Sequence, residues 1–451
     1  MTNSIADIAQ KLIIPSKHLV VEGIPIHAYL TELTWLLFLK IAPALDEKNH
    51  ISTDFNWDSL INKRGEEQFA HYQEIIKRLE KHSEHRVAGL FAYARTAFKN
   101  PEQLTQVISI LAAVDAVLID DLGEVFEILL EKCSYEDNNR LCLPPRSLVD
   151  MMVILTQPQL GESIQDPLAG TANFIVAAME YIQVTNDESL GSSTTQKNII
   201  AIEPDLVRQR LALMNCLLHQ IDHPQHVPVR WGDSLLSNLQ TWPQADLILS
   251  LLVNAREQTD ELAKHDASLA LLQHIYQTLK PGGRAAVVVP DLLLNAMGPA
   301  HQVRSTLLDI CVVHTVLRLP DGIFYPHKVQ THLLFFNKGF DQTKNIWFYD
   351  LRTDLYTFGQ HLHLMREHLK PFEMVYGDDP NGEAVRKDEG ESGRWRCFSR
   401  DSLINDRLDL CWLEDICPPA NNMITEEARE VLDETIEDLF ALTGILSVNS
   451  H

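Results

Sequence analysis

The sequence predicts an α-helical N-terminal domain followed by an α/β domain built on a doubly wound, mostly parallel sheet. Two patterns carry this reading. Before residue 135, apolar residues recur at three- and four-residue spacing and β-branched runs are sparse, which is the periodicity of helices packed on one face. From about 140 to 340, short apolar strands alternate with helical stretches, the order expected of strands joined by crossover helices.

The elements follow in order. Residues 30–40, centred on Trp35-Leu36-Leu37-Phe38, are an apolar helix bounded by polar sequence. Residues 67–80 and 103–118 repeat the helical spacing and complete a domain over 1–135. In the α/β domain, 136–375, a strand ends at Asp166, Gly170 and Thr171 form a loop, and Phe174 opens a helix to residue 182. A second strand covers 198–203 and ends at Glu203, followed by a helix over 206–219. Strand 245–250 precedes a helix over 267–279 that stops at Pro281-Gly282-Gly283, and strands follow over 284–290 and 333–336. Residues 376–394 are polar and glycine-rich, so a flexible loop is expected there. The C-terminal segment, 395–451, carries Val431, Leu432, Ile436, Leu439, Phe440 and Leu442 among acidic residues. That is the pattern of an amphipathic helix with an apolar face for a groove or a partner helix.

Composition narrows the class. The chain of 451 residues is 45% hydrophobic and 22% charged, ordinary for a globular protein, and no apolar run reaches membrane-spanning length. The stretch from Met1 to Ser16 lacks the basic start and small-residue cleavage site of a signal peptide. Seven cysteines are scattered without C-x-x-C spacing, which predicts reduced thiols in the cytoplasm and no metal site. The net charge of −24 is unlike that of a chain that grips DNA by itself, because phosphate neutralisation supplies most of such affinity. It is compatible with action on DNA through a partner that supplies the recognition surface.

Three strand ends form a candidate ligand site. Asp166 can hold a ligand ammonium, Gly170 lets the backbone approach, and the following helix N-terminus adds donors. Glu203, about thirty residues on, is placed to accept a ribose diol. Gly232-Asp233-Ser234-Leu235 follows a third short strand and would set Asp233 near an adenine amino group. The loop lacks G-x-G-x-x-G, so the arrangement suits S-adenosylmethionine (SAM) better than a dinucleotide.

These residues also carry a family resemblance. Asp166-Pro167-Leu168-Ala169-Gly170-Thr171-Ala172-Asn173-Phe174-Ile175 resembles the methionine-binding loop of the modification (M) subunits of type I restriction–modification systems. Residues 279–291 (from Leu279-Lys280-Pro281-Gly282-Gly283), 314–325 (from Leu319-Pro320-Asp321-Gly322) and 346–353 resemble further signatures of that family. Residues 31–40, 57–60 and 392–400 match its flanks, so the likeness spans the whole chain in order. The resemblance implies a Rossmann-like, SAM-dependent N6-adenine DNA methyltransferase domain, with Asp166, Gly170, Thr171, Phe174, Glu203 and Asp233 around the cofactor. It further implies assembly with a specificity (S) subunit that grips DNA, a second M subunit and a restriction (R) subunit.

The chain departs from the family where the chemistry should sit. The family turns the adenine amine toward the methyl donor with Asn (or Asp)-Pro-Pro-Phe (or Tyr), whose amide oxygen and prolyl carbonyl accept from that amine, on a flipped base. Here the corresponding residues are Leu251-Leu252-Val253-Asn254. Leu251 has no acceptor and Asn254 has no ring. Before the first motif, Gly-Gln-Tyr-Phe-Thr-Pro-Arg becomes Arg140-Leu141-Cys142-Leu143-Pro144-Pro145-Arg146, and the polar donors over the methionine end are lost. Asn173 replaces a small loop residue, and Lys328 stands where glycine is usual. The expectation is a pseudo-methylase kept for assembly or regulation, with SAM binding weak at best. The alternatives are an active adenine methyltransferase that uses Asn254 as a replacement acceptor, and a SAM-sensing module that binds without transfer.

Overall fold

The computed structural model describes residues 5–44, 51–113, 119–135, 141–186, 198–221, 227–236, 242–253, 261–327, 329–339, 341–352, 358–359 and 362–413. Among the described residues the N-terminal region holds seven helices: α1 (Ile5–Val21), α2 (Ile26–Ile41), α3 (Trp57–Ile61), α4 (Gly65–Leu79), α5 (His85–Leu90), α6 (Pro101–Ala113) and α7 (Ile119–Ser134). The predicted helix over 30–40 lies inside α2, which is apolar on nearly every face and accordingly buried on nearly every face. The helix expected over 103–118 is present as α6 to Ala113, and residues 114–118 lie outside the described residues. In α4, Glu66 and Glu67 sit in the first turn and Lys77 and Arg78 in the last, each complementing the helix dipole.

Among the described residues of this body, Glu32 is an enclosed acid. Glu32 of α2 is fully buried, accepts the Tyr72 hydroxyl at 2.5 Å and also accepts the Ala97 N–H. Burial raises its carboxyl to about 7 against the opposing pull of those donors.

The rest of the chain alternates strands and helices. In order they are α8 (Arg146–Thr156), β1 (Ile164–Asp166), α9 (Asn173–Thr185), β2 (Ile199–Glu203), α10 (Leu206–Leu218), β3 (Val229–Trp231) and β4 (Ala245–Leu251). There follow α11 (Glu261–Thr278), β5 (Leu279–Pro290), α12 (Leu292–Asn295), α13 (Pro299–Ile310), β6 (Val312–Arg318), β7 (Thr331–Asn337), β8 (Asn345–Asp350), α14 (Arg366–Tyr376) and β9 (Trp395–Ser399). The strand order is β3-β2-β1-β4-β5-β7-β6-β8-β9. The first five strands are parallel, as expected. Beyond them the sheet is mixed: β7 lies antiparallel between β5 and β6, β8 runs parallel to β6, and β9 is antiparallel to β8.

Pro281-Gly282-Gly283 differs from expectation. These residues do not separate helix from strand; β5 already begins at Leu279, and the triplet lies within it at a register shift opposite Ala245 and Leu247. Gly282 donates to Lys338 O at 2.6 Å and Lys338 donates to Gly283 O at 2.9 Å. A Cβ at Gly283 would meet Ala245 O at 2.9 Å, so the close approach of β4 explains the glycine.

Arg210 of α10 binds the helical body to the sheet. It is 5% exposed, donates to Leu90 O at 2.9 Å and Ala92 O at 2.6 Å, and stacks 5.0 Å from the Trp35 ring centroid. Burial lowers its pKa to about 10. The 376–394 stretch is an irregular loop tied down along its length. Gln157 donates to Asp378 O, Asn337 donates to Asn381 O, and Arg386 donates to Tyr376 O and the Thr315 hydroxyl. The first unit of the chain runs from Met1 to Leu410, and residues 414–451, with the helix expected over 426–442, lie outside the described residues. Among the described residues no helix is long and apolar enough to cross a membrane, and no group of residues could hold a metal ion.

Candidate functional site

The chain runs from β1 outward to β3, then returns to β4 on the other side of β1. That reversal leaves a crevice at the carboxyl ends of β1 and β4, where open α/β sheets bind ligands. Asp166 is the last residue of β1 and Glu203 the last of β2, so two parallel neighbours deliver two acids to one edge.

Between them runs the glycine loop. Gly170 adopts φ +56° with open space where a side chain would stand, and its N–H donates to Glu203 Oε2 at 2.8 Å. Ala169 donates to Ile202 O at 2.9 Å, and the Ser234 hydroxyl donates to Pro167 O at 2.5 Å. The loop is therefore pinned to β2 and to the turn after β3. Ala172, in the left-handed region at φ +66°, starts α9, and Asn173 is its first residue. The Asn173 amide oxygen accepts the Thr171 hydroxyl at 3.0 Å.

Asp166, Gly170, Thr171, Phe174, Glu203, Leu251 and Val253 line one cavity, together with Cys142, Leu143, Pro144 and Asn173. The structure thus gathers five of the six predicted cofactor residues. It leaves out Asp233, whose carboxylate accepts the Leu235 N–H at 3.0 Å within its own turn and which does not line the cavity. A short side chain that bends back onto its own backbone is a turn former, which accounts for the difference. The segment 142–144 covers the cavity as expected, and burial pushes the Cys142 thiol up to about 12.

The two acids are held differently. Asp166 is 1% exposed; its Oδ1 accepts the Ser250 hydroxyl at 2.8 Å and the Leu168 N–H at 3.1 Å, while its Oδ2 has no partner. Burial, reinforced by the Glu203 charge, raises Asp166 to about 7. Glu203 is fully buried and its Oε1 accepts both the Asp205 N–H at 2.9 Å and Arg208 Nε at 2.8 Å. Burial raises Glu203 too, against the pull of Arg208.

Sequence reasoning passed over Arg208 and Ser250. Arg208 sits in the first turn of α10, where Asp205 caps its N–H at 2.8 Å, and its side chain also lines the cavity. A basic residue one turn past an acidic strand end was the available signal. Ser250 precedes the motif by one position and is fully buried against Asp166.

At the position of the methylation motif, Leu251 ends β4 and is 7% exposed, and Val253 is 4% exposed. Both present apolar side chains to the cavity. Leu252 is fully buried and its backbone is used in the fold, donating to Val288 O and accepting the Ser268 hydroxyl, each at 2.8 Å. Asn254 and Lys328 lie outside the described residues.

The cavity volume is about 40 Å³. That accommodates one or a few waters, whereas a site for a drug-sized ligand takes roughly 300–1,000 Å³. The residues in this arrangement do not fit SAM: the acids are in place, but Glu203 is engaged and the volume is absent.

A far larger cleft, about 1240 Å³, adjoins this cavity through Leu143, Pro144 and Asn173. Its walls include Glu124, Glu127, Glu131, Asp150 and Glu180. Arg146 there is paired with Glu127, Asp150 and Glu180, and His219 stands 3.0 Å from Glu180. Among the described lining residues the acids outnumber the arginines, a balance that disfavours phosphate.

Known proteins share both the sequence and the fold. The family model for N-6 DNA methylases matches residues 117–395. The StySJI type I restriction enzyme methylase subunit of Salmonella typhimurium is 34% identical, over 93% of this chain and 91% of its own length. The EcoKI methylase subunit of Escherichia coli is 34% identical over 95% of this chain and 93% of its own. The crystal structure of that EcoKI M protein superposes with a TM-score of 0.55 at 31% identity, covering 98% and 96% of the two chains. A chain from a structure on complex assembly and conformational transition of the type I R-M system shares the fold at TM-score 0.71 and 24% identity, covering 94% and 93%. With this identity extending over nearly the full chain, the protein belongs to the N-6 DNA methylase family, among the type I restriction enzyme methylase subunits.

Proposed function

We propose that this chain is a catalytically silent methylase subunit, a pseudo-methylase retained for assembly or regulation. One observation carries the reading: where the family presents acceptors to an adenine amine, this chain presents Leu251 and Val253 to a cavity of about 40 Å³. An exocyclic amine needs acceptors held to about half an ångström. No side chain of residues 251–253 offers one.

The partners follow from the family. The chain works in the cytoplasm with a specificity subunit, alongside an intact second methylase subunit and a restriction subunit, and reaches DNA only through the complex. The net charge of −24 and the acidic cleft support this, since neither favours phosphate. The segment 395–451, with its apolar face at Val431, Ile436 and Leu439, is the part assigned to subunit association.

Co-expression with the specificity subunit tests the assembly role. Mass photometry should show a stable complex that is lost when 414–451 is deleted. A chain that stays alone at micromolar concentration with specificity, methylase and restriction subunits all present would contradict it.

A further inference from the structure

We propose that Arg208 closes the nucleoside end of this site by taking the acceptor that a ribose diol would need. The argument counts lone pairs. A carboxylate offers about four acceptor positions, two on each oxygen. On Glu203, Oε1 receives the Asp205 N–H and Arg208 Nε, and Oε2 receives the Gly170 N–H. Oε1 is therefore full and Oε2 has one position left. A vicinal diol recognised bidentately donates two hydrogen bonds, one to each oxygen.

The two backbone donors are fixed by the fold. Gly170 is held in the loop between β1 and α9, and Asp205 is the N-cap of α10. Arg208 is the side-chain donor among the three, and the one that substitution removes without moving the backbone. Its side chain is 12% exposed, lines the cavity, and contributes to the shortage of volume there. Without it, each oxygen of Glu203 has one open acceptor, which matches the two hydroxyls of a ribose. Arg208 is thus a specificity-determining residue: it converts a diol-reading acid into an internal ion pair. The class of ligand excluded is a nucleoside with a free 2′,3′-diol.

This inference rests on reading the cavity as a former cofactor site. Equilibrium dialysis with radiolabelled adenosine and 2′,3′-dideoxyadenosine tests it. The wild-type chain should bind the two nucleosides equally and weakly. Arg208→Ala should bind adenosine at least ten-fold tighter than wild type and leave the dideoxy analogue unchanged, because only the diol uses the opened acceptors. The gain should vanish in Arg208→Ala/Glu203→Gln. Preference of the wild type for adenosine by ten-fold or more would overturn the proposal, as would a folded Arg208→Ala with no gain. If Arg208→Ala fails to fold, Arg208→Ser and the wild-type comparison of the two nucleosides still decide. Failure of the dialysis test leaves catalytic silence standing, whereas methyl transfer from SAM, itself a nucleoside with a free 2′,3′-diol, would overturn both.

Discussion

Two buried acids in different regions show what separates scaffold from site. Glu32 in the helical body and Asp166 at the end of β1 are both almost wholly buried, and burial raises both to about 7. Their hydrogen bonding differs. Glu32 takes a donor on each oxygen, Tyr72 on one and Ala97 on the other. Asp166 satisfies Oδ1 twice and leaves Oδ2 unpartnered in a cavity. An acid whose oxygens all have partners holds a fold together. Asp166 keeps one oxygen open toward a cavity, where a donor could still pair with it. Leu251, Val253 and Arg208 line the same cavity.

The largest expected effect falls on the helical body. Glu32→Ala leaves the Tyr72 hydroxyl and the Ala97 N–H buried without an acceptor, at about 1–3 kcal/mol each. Urea unfolding should show a loss of about 3 kcal/mol, and a loss under 1 kcal/mol would mean that Glu32 is not a structural node. Arg210→Ala removes two hydrogen bonds to Leu90 and Ala92 and the contact with Trp35, so a loss of about 2 kcal/mol is expected. Arg210→Lys should recover little of it, since a single ammonium cannot reach both carbonyls and stack as well.

Asp166 should behave in the opposite sense when substituted, and its contribution, like that of Glu32, depends on pH. Its carboxyl titrates near 3.8 when unfolded and about 7 when folded. Between those values the folded state holds a proton that the unfolded state has released. The contribution of Asp166 to stability therefore falls as pH rises from about 4 to about 7, then stays level. Asp166→Asn keeps an oxygen for Ser250 and Leu168 and abolishes the buried charge. It should be more stable than wild type by on the order of 2 kcal/mol at pH 8 and nearly equal at pH 4. An advantage of the same size at both pH values would contradict the buried-charge account.

Legibility followed the same division. Asp166, Gly170 and Glu203 could be read from sequence because a strand end, a loop and the next strand end have fixed chain spacing. Ser250 could not, because its relevance comes from packing: it lies on β4 and meets β1 only across the sheet. Asp233 stood at the right spacing and bends back into its own turn, which spacing does not reveal. The mixed half of the sheet was obscure for another reason. β6 is buried along nearly its full length and shows no period-two alternation, so periodicity alone does not mark it as a strand.

The central claim is that no methyl group is transferred at Leu251-Leu252-Val253-Asn254. Its most direct test is incorporation of label from radiolabelled SAM into unmodified genomic DNA, with this chain purified together with its specificity subunit and no second methylase subunit. The account predicts counts no higher than a blank without protein, from a complex shown to be folded and assembled. Incorporation above the blank that disappears in Asp166→Ala would contradict it and show that a non-standard site works.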